Sequence, residues 1–464
     1  MPLTFGRFLE VAGGRFLAEA KYVPETFVPS TDSRTLQRGD TFVCLRGEHF
    51  DGHDFIGAAS SRGCAAIVVD DDAKVPRATA VPVIRVADAK QAYLAGGAAA
   101  RTQFQGRVVA VTGSTGKTTT KEMIAQLLAP HRSVQTTPNN ENNELGVAKL
   151  CYALNEGLEV AVFEFGARHP GEIAQLVAIA QPHVGVLTNI GEAHLEFFRD
   201  QEELARTKFA IFGRGAQPVC SSADSWTRML AAEANLETKT IWARLCGDPP
   251  AAGIMIESGV PHEGRVPITL GASHAFAQWS LLGDHTLRDA LLACGAVIAC
   301  GLSFETAVAG FGNLRLPAGR FEIHRAERGA TIVYDAYNAS PTSVQNVLLA
   351  FRQLPAGRHI AVLGSMAELG AAARALHEAT GAAAARSGIS LLYCGGEYAH
   401  ELANGARAAG MPAHAVQIYG SNDEAAERLR GVLRPDDCVL LKGSRVHRME
   451  EILRGLLSSG SLAS

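Results

Sequence analysis

A glycine-containing turn that follows a short apolar run combines the residue types that bind a phosphate group. Residues 108–120 read VVAVTGSTGKTTT, with two glycines, one lysine and five threonines. Glycines let backbone N–H groups approach an anion, and a helix that begins near Lys117 directs the positive end of its dipole at the same point. The pattern predicts a nucleotide phosphate site formed by Gly113, Ser114, Thr115, Gly116, Lys117, Thr118 and Thr119.

One position in this turn departs from the usual phosphate-binding pattern. The pattern G-x-x-x-x-G-K-[ST] begins with a glycine, and Val111 occupies that position here. We expect Lys117 to contact the β- and γ-phosphates of ATP and the Thr118 hydroxyl to reach Mg²⁺. The alternative is a tight strand-to-helix turn that carries an incidental lysine.

Two further polar side chains follow apolar runs of the same kind. Glu164 ends the run EVAVFE, and His194 comes shortly after the run VGVLTN. A carboxylate that leaves a buried parallel strand at its carboxyl end faces the ligand crevice of the sheet. Taken alone, Glu164 could be a paired surface residue and His194 a capped loop histidine. Together with the phosphate turn, they predict contact with a metal ion or with the reacting groups.

Short strands that alternate with helices must position these residues. The runs RVVAVTG, LEVAVFEFG and HVGVLTNIG are separated by helical patterns such as GEIAQLVAIAQ, which is typical of a doubly wound, mostly parallel α/β sheet. Similar alternation occurs before this block, and again after a hinge predicted at Pro317 and Gly319. We predict an α/β protein of three domains at residues 1–104, 105–317 and 318–464, the central one P-loop-like and the last one Rossmann-like.

Composition and charge exclude several classes of protein. The formal net charge of −4 gives no electrostatic reason for a nucleic-acid partner. The nine cysteines contain no C-x-x-C pair, which argues against a disulfide framework or a zinc knuckle. No stretch approaches the roughly 18 consecutive apolar residues of a membrane span. We therefore expect a cytoplasmic protein with no membrane span.

Several motifs of the central block resemble those of the Mur ligases, enzymes that build the peptide stem of bacterial cell-wall precursors. These motifs are TGSTGKTTTKEM, NNENNELGV, EFGARHPGEI, TNIGEAHLEFF and ARTKFAIF. The family's phosphate turn lacks the first glycine, so Val111 fits a variant form of the turn. The KEM and NNENNELG segments most resemble the family member that adds D-alanyl-D-alanine.

The resemblance extends into the outer two domains. The run STDSRTLQRGDTFVCLRGEHFDGHDFIGAA is similar to the family's uridine-binding first domain. Similarity to the family's last domain lies in DAYNASPTSV, VLGSMAELG and LLKGSRVHRMEE. An N-terminal domain that binds a uridine nucleotide is therefore expected.

The resemblance implies an ATP-dependent amide ligase that joins UDP-N-acetylmuramoyl-tripeptide to D-alanyl-D-alanine. The γ-phosphate passes to the substrate carboxylate, an amine attacks the acyl phosphate, and the products are the amide, ADP and phosphate. Two Mg²⁺ ions are implied, one held by Thr118 and Glu164 and the other by His194. Lys208 aligns with a lysine that several members carry as a Mg²⁺-binding carbamate; without the motif it would be a solvated helix lysine. The implied catalytic residues are Lys117, Asn143, His194 and Lys208.

Other residues receive implied roles with alternatives that stay open. Asn143 matches the family's Asn-rich turn near the acyl phosphate, and a helix cap is an equal alternative. Arg34 matches the uridine-diphosphate site, where an exposed salt bridge is the alternative. The implied nucleotide contacts in the last domain are Arg320, Asp335 and Asn338. The implied substrate contacts are Ser33, Arg34, Lys442 and Ser444.

Three positions depart from the family pattern. GDHTLRDAL keeps His285 but has Thr286 and Asp289 where asparagines are usual, one of them near the adenine, and GSMAELG has Ser365 where aspartate is usual. These changes leave a second hypothesis open, an amide ligase of another pathway with a different acid and amine. A third hypothesis is a nucleotide-dependent binding or regulatory protein, which does not need the whole set of metal-binding residues. We expect a monomer.

Overall fold

Three β-sheets from successive parts of the chain organise the molecule. The computed structural model describes residues 3–17, 23–77, 79–138 and 141–457. The first sheet lies within residues 15–85, the second within 107–278 and the third within 322–442. The predicted fold class, three α/β units with mostly parallel sheets, is confirmed. The boundaries at residues 104 and 317 stay predictions.

The N-terminal unit is a five-stranded sheet of short strands. Its strands are β1 (Arg15–Phe16), β2 (Pro29–Ser30), β3 (Thr41–Val43), β4 (Ala66–Val69) and β5 (Val83–Arg85). Its helices are α1 (Phe5–Ala12), α2 (Ile56–Ser61) and α3 (Ala89–Gln103). The order is β1-β5-β4-β3-β2, and only β1 runs antiparallel to its neighbour. The Ala-rich α3 leads into the central unit.

The central unit is a nine-stranded sheet of order β14-β13-β12-β11-β10-β9-β6-β8-β7. The strands are β6 (Arg107–Thr112), β7 (Val134–Thr136), β8 (Val160–Glu164), β9 (Val184–Leu187), β10 (Gln217–Ser221), β11 (Ile241–Leu245), β12 (Ile254–Ser258), β13 (Arg265–Leu270) and β14 (Ser273–Gln278). The helices are α4 (Lys117–Leu128), α5 (Glu144–Ala153), α6 (Glu172–Ala180), α7 (Gln201–Phe209), α8 (Ser225–Glu233), α9 (Asp284–Ala299) and α10 (Phe304–Ala309). Strands β6 to β12 pair in parallel, and β13 is antiparallel to both of its neighbours.

Strand β6 is buried on both faces of the central sheet. Val108 and Ala110 belong to one hydrophobic core, and Val109 and Val111 belong to the core on the opposite face. Helices cover both faces of such a sheet, so its middle strands read as continuous apolar runs. Val111, at the position where the usual pattern has a glycine, is therefore a core residue of the strand that leads to the phosphate turn.

The C-terminal unit is a six-stranded sheet of order β15-β16-β20-β17-β18-β19. Its strands are β15 (Glu322–Arg325), β16 (Thr331–Tyr334), β17 (Arg358–Gly364), β18 (Leu391–Gly395), β19 (Val416–Ile418) and β20 (Asp437–Lys442). Its helices are α11 (Pro341–Phe351), α12 (Ala373–Arg386), α13 (Ala399–Ala408), α14 (Asn422–Val432) and α15 (Glu450–Leu456). All neighbours pair in parallel except β15 and β16.

The carboxyl ends of parallel strands bring the candidate residues together. Strand β6 lies between β8 and β9, and Val111 is the register partner of Glu164. The turns that follow these strands therefore meet at one edge of the central sheet, where ligands of open α/β sheets bind. Among the described residues, no helix has the length and apolar character to cross a membrane.

Candidate active site

The phosphate turn joins β6 to α4 through two glycines in conformations that other residues rarely adopt. Gly113 has φ +148° and Gly116 has φ +78°. A Cβ atom at Gly113 would lie 1.9 Å from the Thr188 hydroxyl, and one at Gly116 would lie 2.6 Å from a carboxylate oxygen of Asp289. Glycine is therefore required at both positions for space as well as for conformation.

The segment after β9 holds the turn in place. The backbone N–H of Ser114 donates to the carbonyl of Asn189 at 2.9 Å, and the N–H of Thr115 donates to the Asn189 side chain at 3.1 Å. Gly191 N–H donates to the Ser114 hydroxyl at 2.9 Å. Helix α4 begins at Lys117, and the first turn of a helix leaves its backbone N–H groups without acceptors inside the helix. A rigid turn thus ends in a helix terminus suited to anions, as the sequence predicted.

Lys117 folds back over the turn. Its Nζ donates to the backbone carbonyls of Gly113 at 2.8 Å and Ser114 at 3.3 Å. Burial lowers the pKa of Lys117, although the nearby Glu164 carboxylate opposes this change. The ammonium is held at the turn by carbonyl groups alone and can exchange them for stronger, charged acceptors such as phosphate oxygens.

Glu164 reaches the first turn of α4 from the end of β8. It is buried, accepts a hydrogen bond from the Thr118 hydroxyl at 2.8 Å, and accepts another from the Asn142 side-chain amide at 3.0 Å. Its backbone N–H donates to the Thr137 hydroxyl at 2.9 Å. The alternative of a paired surface glutamate is therefore wrong, because the carboxylate is fixed inside the site beside the phosphate turn.

Lys208 is buried in the last turn of α7 and is only 1% exposed. It makes no hydrogen bond or ion pair with the residues that the structure describes. Burial lowers its pKa well below the usual lysine value, and the positive charge of Lys117 lowers it further. The alternative of a solvated helix lysine is thus wrong. A lowered pKa favours the neutral amine, which is the form that carbamylation requires.

His194 connects the central unit with the C-terminal unit. It has a left-handed backbone with φ +67°, and its Nδ1 contacts the carboxylate of Glu368 in the loop after β17. The same carboxylate forms an ion pair of 3.1 Å with Arg168. Burial, together with Lys117 and Lys208, lowers the pKa of His194 to about 4, although Glu368 opposes this change. The imidazole is therefore neutral at pH 7 and has a lone pair for a cation.

The residues at this edge fit Mg²⁺ by the chemistry of their donor atoms. The described part of the chain contains no group of three or more His, Cys, Asp or Glu side chains that could hold a metal ion alone. Mg²⁺ does not need one, because it is usually bound by one or two carboxylates together with waters and substrate phosphates. The Thr118 hydroxyl and the Glu164 carboxylate lie 2.8 Å apart at the helix terminus that faces the phosphates.

The C-terminal unit contributes an ion pair whose two opposite charges compensate each other. Lys442 at the end of β20 donates to the Asp335 carboxylate at 2.7 Å and to the carbonyl of Asn338 at 3.1 Å. Burial would raise the pKa of Asp335, but the charges of Lys442 and Arg320 outweigh it and keep that pKa below its usual value. The guanidinium of Arg320 lies over the Tyr337 ring at 4.5 Å from its centroid. Asp335, Arg320 and Lys442 all line the cleft described next.

A cleft between the phosphate turn and the C-terminal unit is lined by residues of both. Asp289 of α9 lies against Gly116 at one end of it, and burial raises the pKa of this carboxyl to about 7. Asp289 is therefore protonated in part at neutral pH and brings less negative charge to the phosphate turn than an ordinary carboxylate would. His285 lines the same cleft, and burial lowers its pKa to about 4.

Several predicted residues instead have local partners. Asn143 caps α5 and accepts from the N–H of Gly146 at 3.0 Å, so its helix-cap alternative is realised. Arg34 is exposed and pairs with Asp32 at 2.7 Å, which is the salt-bridge alternative. The Ser444 hydroxyl accepts from the Ala367 N–H at 3.0 Å. Asn139 and Asn140 of the Asn-rich run lie outside the described residues.

Two of the departures from the family pattern also have local explanations. The Thr286 hydroxyl, in the first turn of α9, donates at 2.7 Å to the Leu282 carbonyl, which lies just before the helix. The Ser365 hydroxyl donates to the Gly395 carbonyl at 3.2 Å and accepts from the Tyr398 N–H at 2.8 Å. Both side chains therefore stabilise their own loops.

Sequence reasoning missed two contributors to the site. Asn142 was inside the quoted NNENNELG run but was not singled out, although it holds Glu164. Glu368 lay inside GSMAELG, and its partner His194 is 174 positions away. Only an alignment of covarying residues could have linked this pair, because nothing in either local segment indicates the other.

Comparison with known protein families gives a match in each of the three units. The chain matches the Mur ligase family catalytic domain over residues 28–114, the Mur ligase middle domain over 111–297 and the Mur ligase glutamate ligase domain over 319–445. The fold and the site define a three-domain α/β protein of the nucleotide-dependent ligase class. The chain belongs to the Mur ligase family.

Individual relatives match along nearly the whole chain. The UDP-N-acetylmuramoyl-tripeptide–D-alanyl-D-alanine ligase of Escherichia coli is 31% identical over 443 residues, which cover 93% of this chain and 94% of the relative. The enzyme of the same name from Bacillus subtilis is also 31% identical and covers 93% of each chain. A crystal structure of MurF from Acinetobacter baumannii superposes with a TM-score of 0.86 at 27% identity, covering 98% of this chain and 99% of that one. MurF ligase from Thermotoga maritima in complex with ADP gives a TM-score of 0.77 at 28% identity, covering 93% and 97%.

Proposed function

We propose that this protein joins D-alanyl-D-alanine to UDP-N-acetylmuramoyl-tripeptide, with conversion of ATP to ADP and phosphate, in peptidoglycan synthesis. One observation carries the proposal from the geometry: Lys117 of the phosphate turn donates only to backbone carbonyls, and among the described residues it forms no ion pair with a carboxylate. A positive charge without a paired carboxylate at this turn suits a reaction that develops negative charge on phosphate and carbonyl oxygens. Relatives that share the whole length of the chain bear the name of this activity.

The proposed nucleotide is ATP, with its phosphates on residues 113–119 and its ribose near Asp335. The complex of the Thermotoga maritima relative with ADP supports the choice of an adenine nucleotide. Arg320 and Asn338 are proposed to contact the nucleotide from the C-terminal unit. Thr118, Glu164 and His194 would hold Mg²⁺, which when bound neutralises phosphate charge and orients the γ-phosphate.

The residues of the chain have defined tasks in the proposed reaction. Lys117 releases its carbonyl partners and contacts the transferred phosphate, which draws negative charge away from the oxygen between the β- and γ-phosphates. The substrate carboxylate attacks the γ-phosphate, and the acyl phosphate that forms is then attacked by the amine of the incoming dipeptide. Asn143 and its turn are proposed to lie near the acyl phosphate. Loss of phosphate leaves the amide bond.

Lys208 is proposed to act as a carbamate. Its burial and depressed pKa support the reaction of a neutral amine with carbon dioxide. The product is an anion, which would relieve the repulsion between Lys208 and Lys117. It would also supply an oxygen ligand for Mg²⁺.

The substrate-binding residues outside the central unit are proposals of the same kind. Ser33 and Arg34 would contact the uridine diphosphate, after Arg34 exchanges Asp32 for a phosphate. Lys442 and Ser444 would lie near the transferred phosphate or the incoming dipeptide. We also propose that the protein works as a monomer in the cytoplasm.

Phosphate release with defined substrates tests the proposed function. Purified protein with ATP and Mg²⁺ is given UDP-N-acetylmuramoyl-tripeptide, D-alanyl-D-alanine, or both. We expect phosphate release only when both are present. Release with other acid and amine pairs, and none with this pair, would assign the protein to another pathway.

A further inference from the structure

The polar side chains that line the nucleotide cleft differ in whether they already have partners. Most of these side chains already form hydrogen bonds within the protein. The Asn189 amide is bonded to the hydroxyl of Thr115 at 2.9 Å, and the Thr342 hydroxyl donates to Glu192 at 2.5 Å. The Thr286 hydroxyl donates to the backbone carbonyl of Leu282, which lies just before α9. These groups keep the cleft in shape and are not free to contact a base.

Two neutral side chains away from the phosphate turn lack such partners. Within the described residues, neither His285 nor Asn346 forms a hydrogen bond through its side chain, and both line the cleft. Asn346 is half-buried in α11, so its amide is accessible to a ligand. An asparagine amide offers one acceptor and two donors in one plane. Leaving it unpaired in a cleft is costly unless water or a ligand completes its hydrogen bonds.

The position of Asn346 places it over the start of α9. Ala350, one helical turn further along α11, packs so closely on Gly283 that a Cβ atom there would lie 2.7 Å from the Ala350 methyl group. Residues four apart lie on the same face of a helix. Asn346 therefore lies on the face of α11 that covers the first turn of α9, which carries His285.

We propose that Asn346 recognises the adenine edge of the bound nucleotide and makes the protein selective for adenine over guanine. An asparagine amide forms two simultaneous hydrogen bonds with adenine, accepting from the N6 amino group and donating to N7. Guanine presents a carbonyl oxygen in place of the amino group, so the same amide cannot satisfy both atoms. The inference rests on the proposed use of ATP and adds the residue that selects the base.

Base recognition by Asn346 depends on two units of the molecule. The phosphates are assigned to the turn at the start of α4 in the central unit, whereas Asn346 belongs to α11 in the C-terminal unit. Asn346 can therefore contact the base of a bound nucleotide only when the C-terminal unit lies against the central one.

Calorimetric titration with Mg²⁺-ADP and Mg²⁺-GDP tests the proposal without the acid or amine substrates. The variants are Asn346→Ala and Asn346→Asp, and the control is Gln345→Ala, an exposed neighbour on the same helix. We expect wild type and Gln345→Ala to prefer ADP. Asn346→Ala should weaken ADP binding about 10-fold and leave GDP binding unchanged, since a bidentate pair contributes about 1–3 kcal/mol of discrimination. Asn346→Asp should weaken GDP binding more than ADP binding, because a carboxylate can still accept from the N6 amino group of adenine but faces only the O6 and N7 acceptors of guanine.

The possible failures are distinguishable. Equal binding of ADP and GDP by the wild type, or an equal loss of both in Asn346→Ala, would overturn the role of Asn346 and leave the proposed ligase reaction standing. Preference for ADP that depends on Asn346, in a protein that releases no phosphate with the cell-wall substrates, would support the base-reading role and refute the proposed substrates. Failure to bind either nucleotide would refute both. Melting temperatures of all variants within about 2 °C of wild type confirm that they are folded.

Discussion

Two lysines occupy comparable places in the central and C-terminal units and differ in how their charge is balanced. Lys442 ends β20 and donates to the Asp335 carboxylate at 2.7 Å. Lys117 follows β6 and donates only to the carbonyls of Gly113 and Ser114. In addition, the positive charge of Lys117 lowers the pKa of the buried Lys208. The carboxylate of Asp335, in contrast, raises the pKa of Lys442 and opposes the effect of burial.

The C-terminal ion pair is therefore neutral without a ligand, whereas the central site needs a bound anion to compensate its charge. A buried charge is costly unless an opposite charge or several hydrogen bonds compensate it. The C-terminal pair carries its own compensation and can be preorganised before any ligand binds. The central site concentrates positive charge that a triphosphate compensates. We therefore propose that catalysis takes place at the central edge and that the C-terminal edge positions the substrates.

Removing Lys117 should have the largest effect. We expect Lys117→Ala to lower kcat by about 1000-fold or more, because loss of a preorganised charge at a developing oxyanion typically costs 10²–10³ in rate. Phosphate release with saturating substrates measures this, with the exposed Lys239→Ala as the control. A near-normal rate would contradict the assignment of the phosphate turn.

Removing one member of the Lys442–Asp335 ion pair should mainly lower the free energy of unfolding. Asp335→Asn leaves the buried Lys442 ammonium without its carboxylate, which should lower the free energy of unfolding by about 3 kcal/mol in urea. The double variant Asp335→Asn/Lys442→Met, which has no charge to compensate, should recover most of this loss. If the double variant is less stable than Asp335→Asn, the charges of Asp335 and Lys442 do not compensate each other.

The same pair predicts a pH dependence. Because the folded-state pKa of Asp335 lies below its unfolded value, its stabilising contribution is complete above about pH 4 and is lost as the pH falls through the lower, folded-state pKa. The stability difference between wild type and Asp335→Asn should therefore be constant near neutral pH and shrink in acid. Urea unfolding at pH 7 and at about pH 3 measures both values.

The charge state of Lys208 should have the next largest effect on activity. We expect Lys208→Ala to lose about 100-fold in kcat, the lower end of what removing a preorganised charged group costs. Added formate or acetate should restore part of the activity by supplying the missing carboxylate. Full activity in the variant would rule out the carbamate, and Lys239→Ala with the same salts controls for their general effect.

Breaking the contact between the units should have the smallest effect. Glu368 is partly exposed, and ion pairs of this kind contribute at most about 1 kcal/mol. Glu368→Gln should therefore change the equilibrium between molecules whose central and C-terminal units are in contact and molecules whose units are apart by no more than about fivefold. Small-angle scattering with and without ADP detects this change. Glu378→Gln, an exposed substitution on α12, is the control. An unchanged profile would show that other contacts, such as Thr342 with Glu192, keep the units together.

The parts of the molecule that the sequence predicted are those with a local signal. Short β-branched runs ending in glycine identified β6, β8 and β9, and the T-G-x-x-G-K-T-T segment identified the phosphate turn. Parallel pairing then places Glu164 at the correct edge, because the carboxyl ends of neighbouring strands coincide. The five strands β10 to β14 were not placed, since their runs are less regular and the last two form an antiparallel extension.

What the sequence could not predict depends on contacts between distant segments. The burial of Lys208 follows from packing around α7, whose sequence QEELARTKF is mostly polar. The contact of His194 with Glu368 joins two units. For Asn143, the alternatives were equally weighted because one side chain can serve either as a helix cap or as a contact for a substrate, and the structure shows the cap.

The packing of Gly113 has a consequence for experiments that replace every residue in turn. A methyl group at this position would lie 1.9 Å from the Thr188 hydroxyl, in a strand-to-helix connection with no room to move, whereas one at Gly57 would have no atom within 4 Å. In a saturation library selected for growth, only glycine codons should survive at position 113, while position 57 tolerates many amino acids.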